Sequence, residues 1–166
     1  MDALMAAREA LREPTPMKGD CGRLCGARCC APMEGEETGM LLFPGEEHCY
    51  EGKPGWQVKS GAAGKIVICP GTCDRDERPL ACRLFPALPR ETEAGVQIRM
   101  DFRARAVCPL ARQGTEGLEP GFREAVIRAG EALLMEERQR NFLAKLHREQ
   151  EEWKQIARQL RGGGHV

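Results

Sequence analysis

At 166 residues the chain has the length of one domain and can bury a core of its own. Twenty-five Lys and Arg balance twenty-five Asp and Glu. That balance removes the one-signed field that would favour nucleic acid or an anionic membrane, and no apolar run approaches the length of a bilayer span.

Nineteen glycines, eleven prolines and 5% aromatic residues foretell a modest core. A bound metal could add to it, since structural zinc contributes about 10–16 kcal/mol in small peptides. The nine cysteines are an odd number and cannot all pair. The first residues mix acids and arginines into their apolar pattern, unlike the unbroken core of a signal peptide. A cytoplasmic protein is expected, in which thiols stay reduced and serve metals or redox chemistry.

Residues 2–12 place Leu4, Ala7 and Leu11 on one face, which predicts a short amphipathic helix ended by Pro14 and Pro16. Four thiols then fall within ten residues: Cys21, Cys25, Cys29 and Cys30. If the segment is helical, the first three share a face, Cys30 points away, and Pro32 is the stop. Gly22 and Gly26 weaken that helix, and a metal-wrapping loop with one or two helical turns is the alternative. The neighbours Cys29 and Cys30 cannot both reach one small ion without a sharp bend. They suit a polynuclear cluster, or two nearby sites, better than a single zinc.

Met40 to Phe43 reads as a short strand closed by a Pro44-Gly45 turn. Trp56 to Lys59 and Lys65 to Cys69 read as two more, joined by a flexible hairpin connection, and the second delivers Cys69. Cys73 and Cys82 follow. Val96 to Phe102 alternates apolar and polar residues as a half-buried strand does, and leads to Cys108-Pro109. A small, mostly antiparallel sheet beside the cysteines is the expectation.

From Pro120 onward the chain reads as one long helix or two, with Phe122, Val126, Ala129 and Leu133 at helical spacing. Leu146, Trp153 and Leu160 recur every seven residues, flanked by Phe142 and Ile156, and form a stripe for the core or for a partner. The polar stretch Glu136 to Asn141 marks a candidate break. Residues 162–166 should fray. The fold class expected is α+β: a small cysteine-rich domain over 1–118 with a short N-terminal helix, and a helical extension over 119–166 packing on it.

Thiolate is a soft ligand that selects zinc, copper(I) or iron–sulfur centres. The Cys-x3-Cys spacing here differs from the short hooks of zinc fingers. Cys21, Cys25, Cys29, Cys73 and Cys82 are the leading candidate ligands, Cys30, Cys69 and Cys108 follow, and Cys49 is the spare thiol. His48 is a candidate ligand too, set against the commoner role of an exposed loop histidine.

Two segments carry a resemblance. The first is Cys21-x3-Cys25-x3-Cys29-Cys30. The second runs from Cys73 through Arg78-Pro79 and Cys82-Arg83 to Phe85-Pro86. Together they resemble the zinc- or iron-chelating cysteine-cluster proteins of the YkgJ type, over roughly residues 20–110, and Cys108-Pro109 looks like their late cysteine. The resemblance implies a metal-binding domain whose cofactor is zinc or an iron–sulfur cluster. Arg78 and Arg83 would offset the negative site by hydrogen bonds to sulfur, and Pro79, Pro86 and Pro89 would stiffen the loop around Cys82.

Three functional readings follow: a metal-chelating structural or redox protein, a cluster-dependent enzyme similar to flagellin lysine methylases, and a metal-stabilised module whose C-terminal helix engages a protein partner or a second copy. The sequence holds no Ser/His/Asp constellation, dinucleotide fingerprint or P-loop.

Overall fold

Asp2 opens the first helix, its side chain accepting the Met5 N–H at 2.7 Å in an N-cap. This is α1, Ala3–Ala10. The computed structural model describes residues 2–30, 39–71 and 73–162. Leu4, Ala7 and Leu11 are buried as the helical period requires. They pack on α5, Pro120–Leu134, where Phe122, Ala125, Val126 and Ala129 form the facing stripe.

The remaining elements are short. They are α2 (Gly22–Cys25), α3 (Leu80–Leu84) and α4 (Ala104–Val107), with strands β1 (Met40–Leu41), β2 (Gln57–Ser60) and β3 (Lys65–Ile68). The last three form an antiparallel sheet in the order β1-β3-β2, with Val67 opposite both Met40 and Val58. A separate hairpin pairs β4 (Ala87–Thr92) with β5 (Gly95–Met100), Ala87 lying opposite Met100. The architecture is thus α+β with two small antiparallel sheets.

The half-buried positions of β5 are Val96, Ile98 and Met100, as its alternation required. Its partner β4 was not legible, because Pro89 suggested a loop. Proline is tolerated there because β4 is an edge strand bonded to β5 alone. Gly130, a weak point in the helical reading, is a contact point instead. A Cβ at that position would come within 2.5 Å of Pro89 Cβ and 2.7 Å of Val96 Cγ1, so only glycine lets α5 lie this close to the hairpin.

The helical region breaks at Met135 and Glu136, at the start of the expected polar interruption, and α6 runs over Glu137–Gly162. Leu143, Leu146 and Gln150 are buried against the body. Beyond them the stripe emerges into solvent: Trp153 is 45% exposed, Ile156 53% and Leu160 79%. The stripe expected for the core or for a partner is therefore covered by the body only as far as Leu146, and Trp153 is left half-exposed because α6 outruns the surface it packs on. Among the described residues no helix is long and apolar enough to cross a membrane. Pro32, His165 and the fraying expected over 163–166 lie outside the described residues.

Candidate functional site

Cys21 stands at the N-cap of α2 and Cys25 ends the helix. Gly26 and Ala27 then take left-handed conformations, at φ 63° and 53°, and turn the chain into a single 3-10 turn over Arg28–Cys30. Ala27 bears a cost of about 1–2 kcal/mol for that geometry, which glycine would not. The three thiols Cys21, Cys25 and Cys29 do not share a helix face: the left-handed pair breaks the helix after one turn, as the glycine-weakened alternative anticipated.

Four other places deliver thiols. Cys69 follows β3, Cys73 lies just beyond it, Cys82 sits within α3, and Cys108 follows α4. All eight candidate ligands, Cys21, Cys25, Cys29, Cys30, Cys69, Cys73, Cys82 and Cys108, line one cavity of about 420 Å³. Met40, Val67, Ile68, Val107 and Leu110 supply apolar wall. Cys49 is exposed on another turn, Glu46–Cys49, and does not line the cavity. His48 is exposed as well and pairs with Glu51 at 3.4 Å, the loop role weighed above.

Burial raises the thiol pKa of Cys21 and Cys73, and that of Cys82 most of all, reinforced there by the neighbouring thiols Cys30, Cys73 and Cys69. Cys30 goes the other way. Its hydrogen bond with Cys29 and the nearby Arg78 charge outweigh burial and lower it to about 6, while Cys29 is pushed up as the donor of the pair. Thiols raised in this way, unlike Cys30, hold their protons until a cation enters to balance the thiolates.

Three arginines, Arg75, Arg78 and Arg83, line the cavity, and Arg103 carries charge near Cys82 without lining it. Arg78 lies near Cys73, Cys21 and Cys30. Its buried Nε has no acceptor. Arg103 reaches the surroundings of Cys82 and is fixed by Asp101, whose Oδ1 accepts from its Nε at 3.0 Å. Asp101 is itself buried, and Gln150 of α6 donates to it at 3.1 Å. Arg83, expected to serve sulfur, donates instead to three carbonyls: Arg78 O at 3.1 Å, Arg8 O at 3.0 Å and Asp76 O at 2.7 Å. Each guanidinium nitrogen thus donates to a carbonyl, although Arg83 also lines the cavity.

The segment between Cys73 and Cys82 is held less by its proline than by a polar network. Arg8 of α1 bonds the fully buried Glu46 and reaches Tyr50 Oη at 3.2 Å and Asp76 O at 3.3 Å. Glu46 accepts from Leu80 N at 2.6 Å, at the start of the helix that carries Cys82, and from Phe43 N at 3.2 Å. Tyr50 donates to Glu77 O at 2.9 Å. Arg75 donates to the carbonyls of Leu11, Arg12 and Pro14, satisfying acceptors left open past the end of α1. One signal for this network was in the sequence: Arg8 follows Ala7 and lies one turn after Leu4, on the stripe that had to be buried.

Among the described residues, no group of three or more His, Cys, Asp or Glu side chains is drawn tightly enough together to hold a metal ion. The thiols line a cavity rather than converge on a point. The donor set nonetheless fits a thiolate-bound metal in kind. Eight thiols, which are soft donors, line one space with Arg75, Arg78 and Arg83, and the buried Arg78 Nε is a donor that a sulfur could satisfy. Comparison of the chain with protein-family models, with curated proteins and with solved structures gives no match.

Proposed function

We propose that this protein chelates metal, as zinc or an iron–sulfur centre, through Cys21, Cys25, Cys29, Cys30, Cys69, Cys73, Cys82 and Cys108. The observation that carries the reading is the selective lining of one cavity by thiols. Eight of the nine thiols, from five separate stretches of chain, line one cavity, and the ninth stands apart. Buried cysteines serving only as small apolar residues would have no reason to gather beside guanidinium groups. The resemblance to the YkgJ-type cysteine-cluster proteins supports the same chemistry.

When bound, the metal would supply cross-linking of the five stretches or one-electron redox chemistry. The chain's own part is to supply thiolates, offset their charge with Arg78, and limit water through the apolar wall. Free thiols in this number suit a reducing compartment, and we place the protein in the cytoplasm. Anaerobic purification followed by zinc and iron analysis and a visible spectrum tests the reading. The expected result is near-stoichiometric metal that is lost in Cys82→Ser. Metal-free protein that takes up neither zinc nor iron on reconstitution would overturn it.

A second reading, a metal-stabilised interaction module, draws support from the exposed Trp153, Ile156 and Leu160 on the free end of α6. A second copy is the simplest partner for such a stripe. Concentration-dependent dimerisation abolished by Ile156→Glu would support it, and a monomer at all concentrations would count against it.

A further inference from the structure

No described residue of α6 lines the thiol cavity, yet α6 holds the strand-to-helix turn that leads to one of its walls. Gln150 is 5% exposed and spends both ends of its amide on that turn. Its Nε2 donates to Asp101 Oδ1 at 3.1 Å, and its Oε1 accepts from Phe102 N at 3.0 Å. A buried amide with donor and acceptor both engaged fixes its partners in direction as well as in distance.

Asp101 is the junction that this amide secures. It follows the last residue of β5 and is 1% exposed, and its N–H donates to Pro86 O at 2.9 Å, one step past the Ala87–Met100 pair. Its carbonyl accepts from Ala104 N at 3.1 Å, where α4 begins, and its Oδ1 accepts from Arg103 N at 2.9 Å. A helix of four residues cannot hold itself in water, and Arg103 at the N-cap of α4 gives it no side-chain cap, so its place depends on what anchors its ends. α4 packs on the Cys29–Cys30 turn, and Cys108 hangs from its last turn, its N–H donating to Ala104 O at 2.8 Å. Pro86 on one side of the junction and Val107, Cys108, Pro109 and Leu110 on the other all line the cavity. Two lining segments thus meet at a buried carboxylate that α6 holds.

Resting on the reading of Cys108 as a cavity ligand, we infer that Gln150 is a positioning residue for the cavity: through Asp101 it sets where α4 places Cys108. The helical extension over 119–166 is then part of what builds the site, not an appendage to it.

Gln150→Met keeps the volume of the side chain and removes both hydrogen bonds. The full chain, purified anaerobically, is pulsed with iodoacetamide and mapped by peptide mass, with the exposed Cys49 as internal reference. Loss of a hydrogen bond to a buried carboxylate should make opening of α4 on the order of tenfold more frequent, and the ratio of Cys108 to Cys49 modification should rise by that order. Cys69, on the wall that follows β3, should keep its ratio. His147→Leu removes a different α6 contact, the one to Pro89 O, and should leave Cys108 as in wild type. An unchanged Cys108 ratio, an equal rise at Cys69, or the same rise in His147→Leu would overturn the assignment. If Gln150→Met does not fold, native-state hydrogen exchange of wild type decides. The Ala104 and Cys108 amides should open together with the turn of α6 around Gln150, and independent opening would overturn it. Zinc and iron measured on the same samples keep the two readings apart: a metal-free wild type would remove chelation, while the Cys108 ratio would still judge the role of Gln150.

Discussion

Glu46→Ala is the perturbation that most directly probes what holds the candidate ligand Cys82 in place. Glu46 has no solvent exposure, pairs with a nearly buried Arg8, and accepts the Leu80 and Phe43 amides. Removing one partner of a buried pair strands the other charge and costs about 3–5 kcal/mol. In a chain of this length each kcal/mol lowers the melting temperature by about 2–4 °C, so a drop of about 6–20 °C is expected. Glu46→Gln keeps an acceptor for Leu80 N and should fall near the small end of that range. The pair Arg8→Met with Glu46→Leu removes both charges and should recover part of the loss. It still leaves the Leu80 and Phe43 amides unpaired, at about 1–3 kcal/mol each. Thermal melts by far-UV circular dichroism at matched metal content measure all three. A melting temperature for Glu46→Ala within about 2 °C of wild type would refute the network as the element that fixes this segment.

Burial holds His147 below the ordinary histidine range, against its hydrogen bond to Pro89 O at 2.8 Å. The folded chain then binds fewer protons than the unfolded one between the two values. His147 therefore contributes fully above the unfolded value and less as pH falls through the folded one. Wild type should lose more stability than His147→Gln between about pH 7.5 and about pH 5; equal losses would show that the imidazole is not linked to folding. Gly130→Ala should destabilise by about 1–3 kcal/mol through overpacking against Pro89 and Val96. A denaturation midpoint equal to that of wild type would contradict the close approach. Iodide should quench Trp153 and spare Trp56, which is 8% exposed and stacked on Tyr50. Quenching should thus be biphasic, and Trp153→Phe should remove the accessible phase; protection of all emission would show the α6 stripe covered.

The periodic parts of this fold were legible because period is what a sequence prints. Leu4, Ala7 and Leu11 gave α1, and Phe122, Val126, Ala129 and Leu133 gave α5, with the break before α6 marked by its polar run. What escaped was long-range. The strand β4 carries Pro89 and becomes a strand only because β5 supplies its partner. The network that positions the Cys73–Cys82 segment brings Arg8 to Glu46 and Tyr50, 38 and 42 positions further along the chain, and no local rule pairs them. Arg103 escaped for the same reason, since its standing beside Cys82 depends on the buried Asp101. Arg83 was read as a sulfur partner from its place next to Cys82, yet a residue adjacent in a helix points elsewhere, and its guanidinium serves carbonyls. Spacing and local motifs set Cys49 apart from the other eight cysteines, and those eight line the cavity while Cys49 does not.

Thiol reactivity tests the central claim most directly. The anaerobically purified, metal-loaded chain is treated with an excess of a chromogenic disulfide under native conditions, and then again after chelation in denaturant. Coordination should shield the eight cavity thiols and leave Cys49, which is exposed and outside the cavity, as the single fast-reacting group. All nine should react after the metal is removed. Nine thiols that react at similar rates before chelation, with no metal released into solution, would contradict the account.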